Sequence, residues 1–118
     1  MRLVEKGASN HLCLAGRLLE KQPLRYTPSG LPIIEGRFTH HSEQWEAGVA
    51  RQVECEISFL ALGDTAHWML AASYEANLVL SGFLAAKSRN RKTSVFHVQE
   101  VDFLEGQQNG TVFQEERG

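Results

Sequence analysis

Residues 52–62, QVECEISFLAL, alternate with a period of two. Val53, Cys55, Ile57, Phe59 and Ala61 fall on one side, and Gln52, Glu54, Glu56, Ser58 and Leu60 on the other. A helix turns about 100° per residue and would scatter both sets around its circumference, whereas a strand gathers each on one face. The run is a full strand in length, so the chain must build a sheet with one face turned to a core.

Shorter stretches fit the same plan. In residues 11–19, HLCLAGRLL, Leu12, Leu14 and Leu18 point one way around Gly16, which suits a strand with a bend. Residues 22–32 are turn material, with Pro23, Thr27-Pro28-Ser29-Gly30 and Pro32. A second strand follows over 33–40, with Ile34, Gly36, Phe38 and His40 on one side and Ile33, Glu35, Arg37 and Thr39 on the other. The polar stretch SEQWEAGVARQ then reads as a long hairpin loop before the 52–62 strand. Gly63-Asp64 ends that strand, and Asp64 is placed as N-cap of a short helix over 65–72. Trp68, Met69 and Ala72 fall at helical spacing in it, and Trp68 and Met69 are expected to plug the core. Residues 77–86, NLVLSGFLAA, form a fourth strand with Gly82 as a second bend. The fifth runs over 94–104, with Val95, His97, Gln99, Val101 and Phe103 opposite Phe96, Val98, Glu100, Asp102 and Leu104.

The order is β-β-β-α-β-β. Five strands with interior glycines coil strongly and close into a small barrel, and a helix between strands three and four is where the OB-fold places one. The expected architecture is an all-β, five-stranded OB-fold barrel over residues 10–104. A loose arm is expected over 1–9 and a Gly/Gln/Asn/Glu-rich disordered tail over 105–118.

The residue inventory holds little chemistry. His40 and His41 are adjacent and face opposite sides of a strand, and the other histidines are scattered with no cysteine at ligand spacing, so no metal is expected. No catalytic or phosphate-loop motif appears, and the chain is read as neither an enzyme nor a cofactor binder. Cys13 and Cys55 form no CxxC pair and are expected as small buried side chains. No run approaches the roughly 20 apolar residues a membrane span needs. With no apolar block behind Arg2 and Lys6, a secretory signal is not expected and the cytoplasm is the default.

The charge pattern is more informative. The net charge is −2, yet Lys87, Arg89, Arg91 and Lys92 cluster between strands four and five with no acid before Glu100. Binding follows the local field of one surface rather than the sum of charges. Single strands are held by cations that track phosphates and by aromatic faces on which bases stack. Lys21 and Arg25 before the proline turn, Arg37 on strand two and Arg51 before strand three are further candidate contacts. Trp45, an aromatic in a polar loop, suits either a stacking platform or a lid on the core. Phe38 and Phe96 suit either core or groove.

The segments N-x-L-x-L-x-G at Asn10 to Gly16, PLRYTPSGLP, EAGVARQVECEI and LVLSGFLA resemble the primosomal replication protein N (PriB) family. The resemblance runs through residues 10–104 and implies an OB-fold homodimer without enzymatic activity that binds single-stranded DNA. It implies a role in replication restart, joining and stimulating the primosomal helicase PriA and recruiting a downstream loader. Family DNA contacts map to Lys87, Arg89, Arg91, Lys92 and Arg51, with Arg25 at a matching basic position. Two positions depart: a stacking tryptophan of the family falls at Glu54, and a basic residue falls at His41. These departures imply weaker, more salt-sensitive DNA binding, with Trp45 or Phe96 as possible substitute platforms. The alternative reading is a protein-interaction adaptor whose nucleic-acid contact is incidental.

Overall fold

The computed structural model describes residues 8–104. The tail expected over 105–118, and all but the last two residues of the arm expected over 1–9, lie outside the described residues. The elements are β1 (Leu12–Lys21), β2 (Arg25–Tyr26), β3 (Pro32–Glu46), β4 (Val49–Leu62), α1 (Asp64–Ala71), β5 (Leu78–Ala86) and β6 (Ser94–Phe103). One sheet runs β1-β5-β6-β4-β3-β2, and β1 also pairs with β3. That last pairing closes five long strands into a barrel and leaves β2 as a short extra strand at its edge. The helix follows the third long strand, as expected.

Inward residues from every long strand meet in one core that includes Leu18, Ile34, Phe38, Phe59, Leu78, Leu80, Phe96 and Val98. Met69 and Ala66 of α1 are fully buried against it and cover one end of the barrel. Each large buried side chain contributes about 1.5–3 kcal/mol relative to exposure, so the closed barrel is the main source of stability.

Several expectations need correcting. The polar stretch after His41 is not a loop: β3 and β4 stay paired out to Glu46 and Val49. The turn between them is only Ala47-Gly48, both at positive φ (54° and 81°), the backbone a type I′ hairpin demands. The distal ribbon leaves the core and is solvated on both faces, so its sequence carries no apolar alternation. In α1 the N-cap position belongs to Gly63, with no side-chain cap, and Asp64 is the first helical residue. Trp68 is 57% exposed and packs tilted on Phe103 rather than plugging the core. It neighbours Met69 in sequence, and successive helical residues point about 100° apart, so only one of them can face inward. Cys13 and Cys55 are both exposed. Cys13 lies on the outer face of β1, while Cys55 lies where β4 begins to leave the barrel.

The register of β6 also shifts. Ser81 faces Glu100 but Gly82 faces Val98, so Gln99 is the extra residue of a bulge. The bulge resets the alternation, and Val101 joins Phe96 and Val98 against the core. A Cβ on Gly82 would lie 1.8 Å from the His97 carbonyl oxygen, which is why this bend in β5 is a glycine.

Candidate nucleic-acid interface

The continuous β3–β4 register sorts the outward side chains into two rows. On β3 these are Glu35, Arg37, Thr39, His41, Glu43 and Trp45; facing them on β4 are Leu60, Ser58, Glu56, Glu54, Gln52 and Ala50. At the barrel end of this ribbon lies an open groove of about 550 Å³. Arg37, Ser58 and Leu60 line its floor. Pro23, Leu24 and Arg25 of the β1–β3 connection form one wall, and Lys87, Val95 and His97 form the other. This is the outer face of the second and third long strands between the two loops that OB-folds use for oligonucleotides and oligosaccharides.

The cations divide into paired and unpaired sets. Arg25 is held by Glu35 and Arg37 by Glu56, each at 2.6 Å, and Arg51 by Glu46 near the hairpin tip. Exposed pairs of this kind add about 0–1 kcal/mol to stability, but each acid offsets the field its arginine would offer a phosphate. Lys87, Arg89, Arg91 and Lys92 make no ion pair among the described residues and are exposed. Their loop is held by backbone bonds and by Ser88 Oγ, which accepts from Arg91 N–H at 3.1 Å, so none of the four cationic side chains is used. Lys87 N–H donates to the Thr93 carbonyl at 2.9 Å, and Ser88 and Arg91 exchange N–H···O bonds of 3.1 and 3.2 Å. The four cationic side chains therefore project from a short hairpin at the groove's rim.

Four sequence candidates stand elsewhere: Lys21, Phe96, Trp45 and Arg51. Lys21 is committed to α1: its Nζ donates to the carbonyls of Leu70 (2.8 Å) and Ala72 (2.7 Å) and lies 5.2 Å from the centre of the Tyr74 ring. It satisfies orphan carbonyls at the helix C-terminus and meets the negative end of the dipole, so it is not part of the groove. Phe96 is fully buried in the core and offers no face to a ligand; Phe38 is buried likewise. Trp45 is 75% exposed, which removes the lid reading. By register it shares the outer row of Arg37, but eight residues along the strand, roughly 26 Å, separate it from the groove. Arg51, opposite Gln44, is equally distal.

The groove also recruits residues that sequence reasoning missed: Leu24, Ser58, Leu60 and His97. The signal for His97 was present, because strand parity sets it on the face opposite Phe96. Among the described residues no group of three or more His, Cys, Asp or Glu side chains could hold a metal, and no helix is long and apolar enough to cross a membrane.

The model of a family described as another single-strand binding protein family matches residues 10–100. The replication restart protein PriB of Bordetella pertussis is 37% identical over 97 residues, covering 82% of this chain and 91% of the relative. That of Nitrosomonas europaea is 34% identical over 95 residues, covering 80% and 88%. The chain belongs to the PriB family. The solved structure of PriB from Ralstonia solanacearum, 34% identical, superposes with a TM-score of 0.73 over 82% of this chain and 100% of that one. The barrel is thus a fold this chain shares with PriB proteins, and the resemblance in the four quoted segments holds across the domain.

Proposed function

We propose that this chain is a single-stranded DNA-binding protein of replication restart, acting by binding and without catalysis. One observation carries the reading: the OB-fold groove is rimmed by a hairpin bearing four cations that make no ion pair among the described residues. Phosphates would follow Lys87, Arg89, Arg91 and Lys92, while Arg25 and Arg37 would contact the strand by exchanging their carboxylate partners for phosphate oxygens. The names of its relatives and the description of the matching family support the same role. As in the family it resembles, the chain would act in the cytoplasm as a homodimer, joining the primosomal helicase PriA on DNA and handing over to a downstream loader. The body that binds is the domain over residues 10–104.

Acids oppose phosphate along the outer ribbon. Glu54 stands directly across from His41, and Glu43 lies one outer position beyond. DNA would therefore cross the barrel at the groove rather than follow the ribbon toward Trp45. The test is fluorescence anisotropy of a labelled single-stranded oligonucleotide at two salt concentrations, beside a duplex of the same sequence. Preference for the single strand, weakening steeply with salt, is the expected result. Negligible binding, or equal binding to duplex, would contradict it and favour the adaptor reading.

A further inference from the structure

The register of the sheet lines up one transverse row across four strands. Glu35 of β3 faces Leu60 of β4, Leu60 is the partner of His97 on β6, and His97 faces Phe83 of β5. The last two rings are stacked, with centroids 4.9 Å apart and planes 18° apart. That separation matches the spacing of about 4.8 Å between neighbouring strands, so the rings stand side by side as successive rungs on the barrel's outer surface. His97 and Leu60 both line the groove, whereas Phe83 stands behind His97, outside the lining. One face of the imidazole is thus covered by Phe83, and the other is turned toward the groove, where Leu60 is the next rung.

We propose that the His97–Phe83 pair is the base-stacking platform of this groove, with a nucleobase laid on the groove side of the imidazole above Leu60. The inference rests on the single-strand reading and adds to it the place where a base is held. Three observations converge. The ring is backed by a second ring, so little rotamer freedom is lost when a base stacks on it. Lys87, two residues before the Arg89 tip, lines the same wall and is placed for the phosphate of the stacked nucleotide. The other outward aromatic of the groove's own row, Trp45, lies far along an acidic ribbon, and Phe96 is inside the core. The platform has therefore moved from mid-β4, where this chain has Glu54, to the β5–β6 wall.

The test compares two labelled probes of equal length, an oligothymidylate and a chain of abasic deoxyribose phosphates, on the wild-type chain, His97→Ala and His97→Phe. Stacking of one base on an aromatic side chain accounts for roughly 5-fold or more in affinity. His97→Ala should weaken oligothymidylate binding by about that factor and leave the abasic probe within about 2-fold of wild type. His97→Phe, which keeps a ring on Phe83, should restore thymidylate affinity. Undiminished thymidylate binding by His97→Ala would overturn the proposal while leaving single-strand binding intact. Equal losses on both probes would overturn it too, since they would mark a role in shape or charge. A wild-type chain that binds neither probe would instead refute the single-strand reading, and this proposal with it.

Discussion

Replacing Lys87, Arg89, Arg91 and Lys92 together by glutamine removes four positive charges and disturbs little else. The hydrogen bonds that shape their hairpin run through the backbone of Lys87, Thr93, Ser88 and Arg91 and through Ser88 Oγ, so the loop keeps its form. Each phosphate neutralised on a single strand contributes about 0.7 to the slope of log affinity against log salt, so four contacts contribute about 2.8. Raising salt from about 50 to about 200 mM then costs the wild type about 50-fold in affinity through these residues alone. The variant should lose that share: weaker binding at low salt, and a plot flatter by about 2–3. Anisotropy titrations with a labelled oligothymidylate at four salt concentrations measure the slope directly. Lys21→Met is the matched control, because it deletes a charge whose Nζ is already bonded to two helix carbonyls. A variant slope indistinguishable from wild type, or an equal flattening by Lys21→Met, would refute the assignment of phosphate contacts to this hairpin.

Two further outcomes follow from side chains with settled surroundings. Lys21→Met should lower the melting temperature by roughly 5 °C or more, from the loss of about 1–2 kcal/mol of capping and dipole interaction, as followed by thermal circular dichroism; an unchanged melting temperature would contradict its role at α1. Glu54→Trp deletes an acid that keeps phosphate off the outer ribbon and adds an aromatic face there. An oligonucleotide longer than the groove would then extend onto β4, and its affinity should rise by about 5-fold or more in the same anisotropy assay. No gain would show that the DNA path does not reach this position.

Legibility in the sequence followed burial. Where one face of a strand meets the core, as along Ile57, Phe59 and Ala61, alternation was plain and the strand was read correctly. The closed barrel is legible on other grounds, the glycines inside three strands, and the helix from Gly63-Asp64 and the spacing of Trp68, Met69 and Ala72. Where β3 and β4 leave the core, both faces are wet, Ser42 to Trp45 carry no pattern, and a paired ribbon looked like a loop. The bulge at Gln99 is invisible to a parity count, because one unpaired residue exchanges the faces beyond it, so parity sets Val101 opposite Phe96 and Val98 although all three pack on the core. The basic hairpin was legible because charge clusters in sequence there. The rest of the groove is not, because Leu24, Ser58 with Leu60, and His97 come from three segments that only the fold brings together. Lys21 passes for a binding candidate for a related reason: a cation reads the same in sequence whether it awaits a phosphate or caps a distant helix. Cys13 is exposed because it alternates with Leu12 and Leu14, which face the core, and Cys55 because the apolar side of β4 leaves the barrel before reaching it.

The central claim is that single-stranded DNA lies across the barrel between the β1–β3 connection and the β5–β6 hairpin. The most direct measurement is an amide chemical-shift map of the isotope-labelled full chain titrated with oligothymidylate. The account expects the largest shifts at Arg25, Arg37, Ser58, Leu60, His97 and the Lys87 to Lys92 loop, with the hairpin tip around Trp45 and the Lys21 end of α1 little changed. Shifts concentrated at the hairpin tip or on α1, with the groove silent, would contradict it.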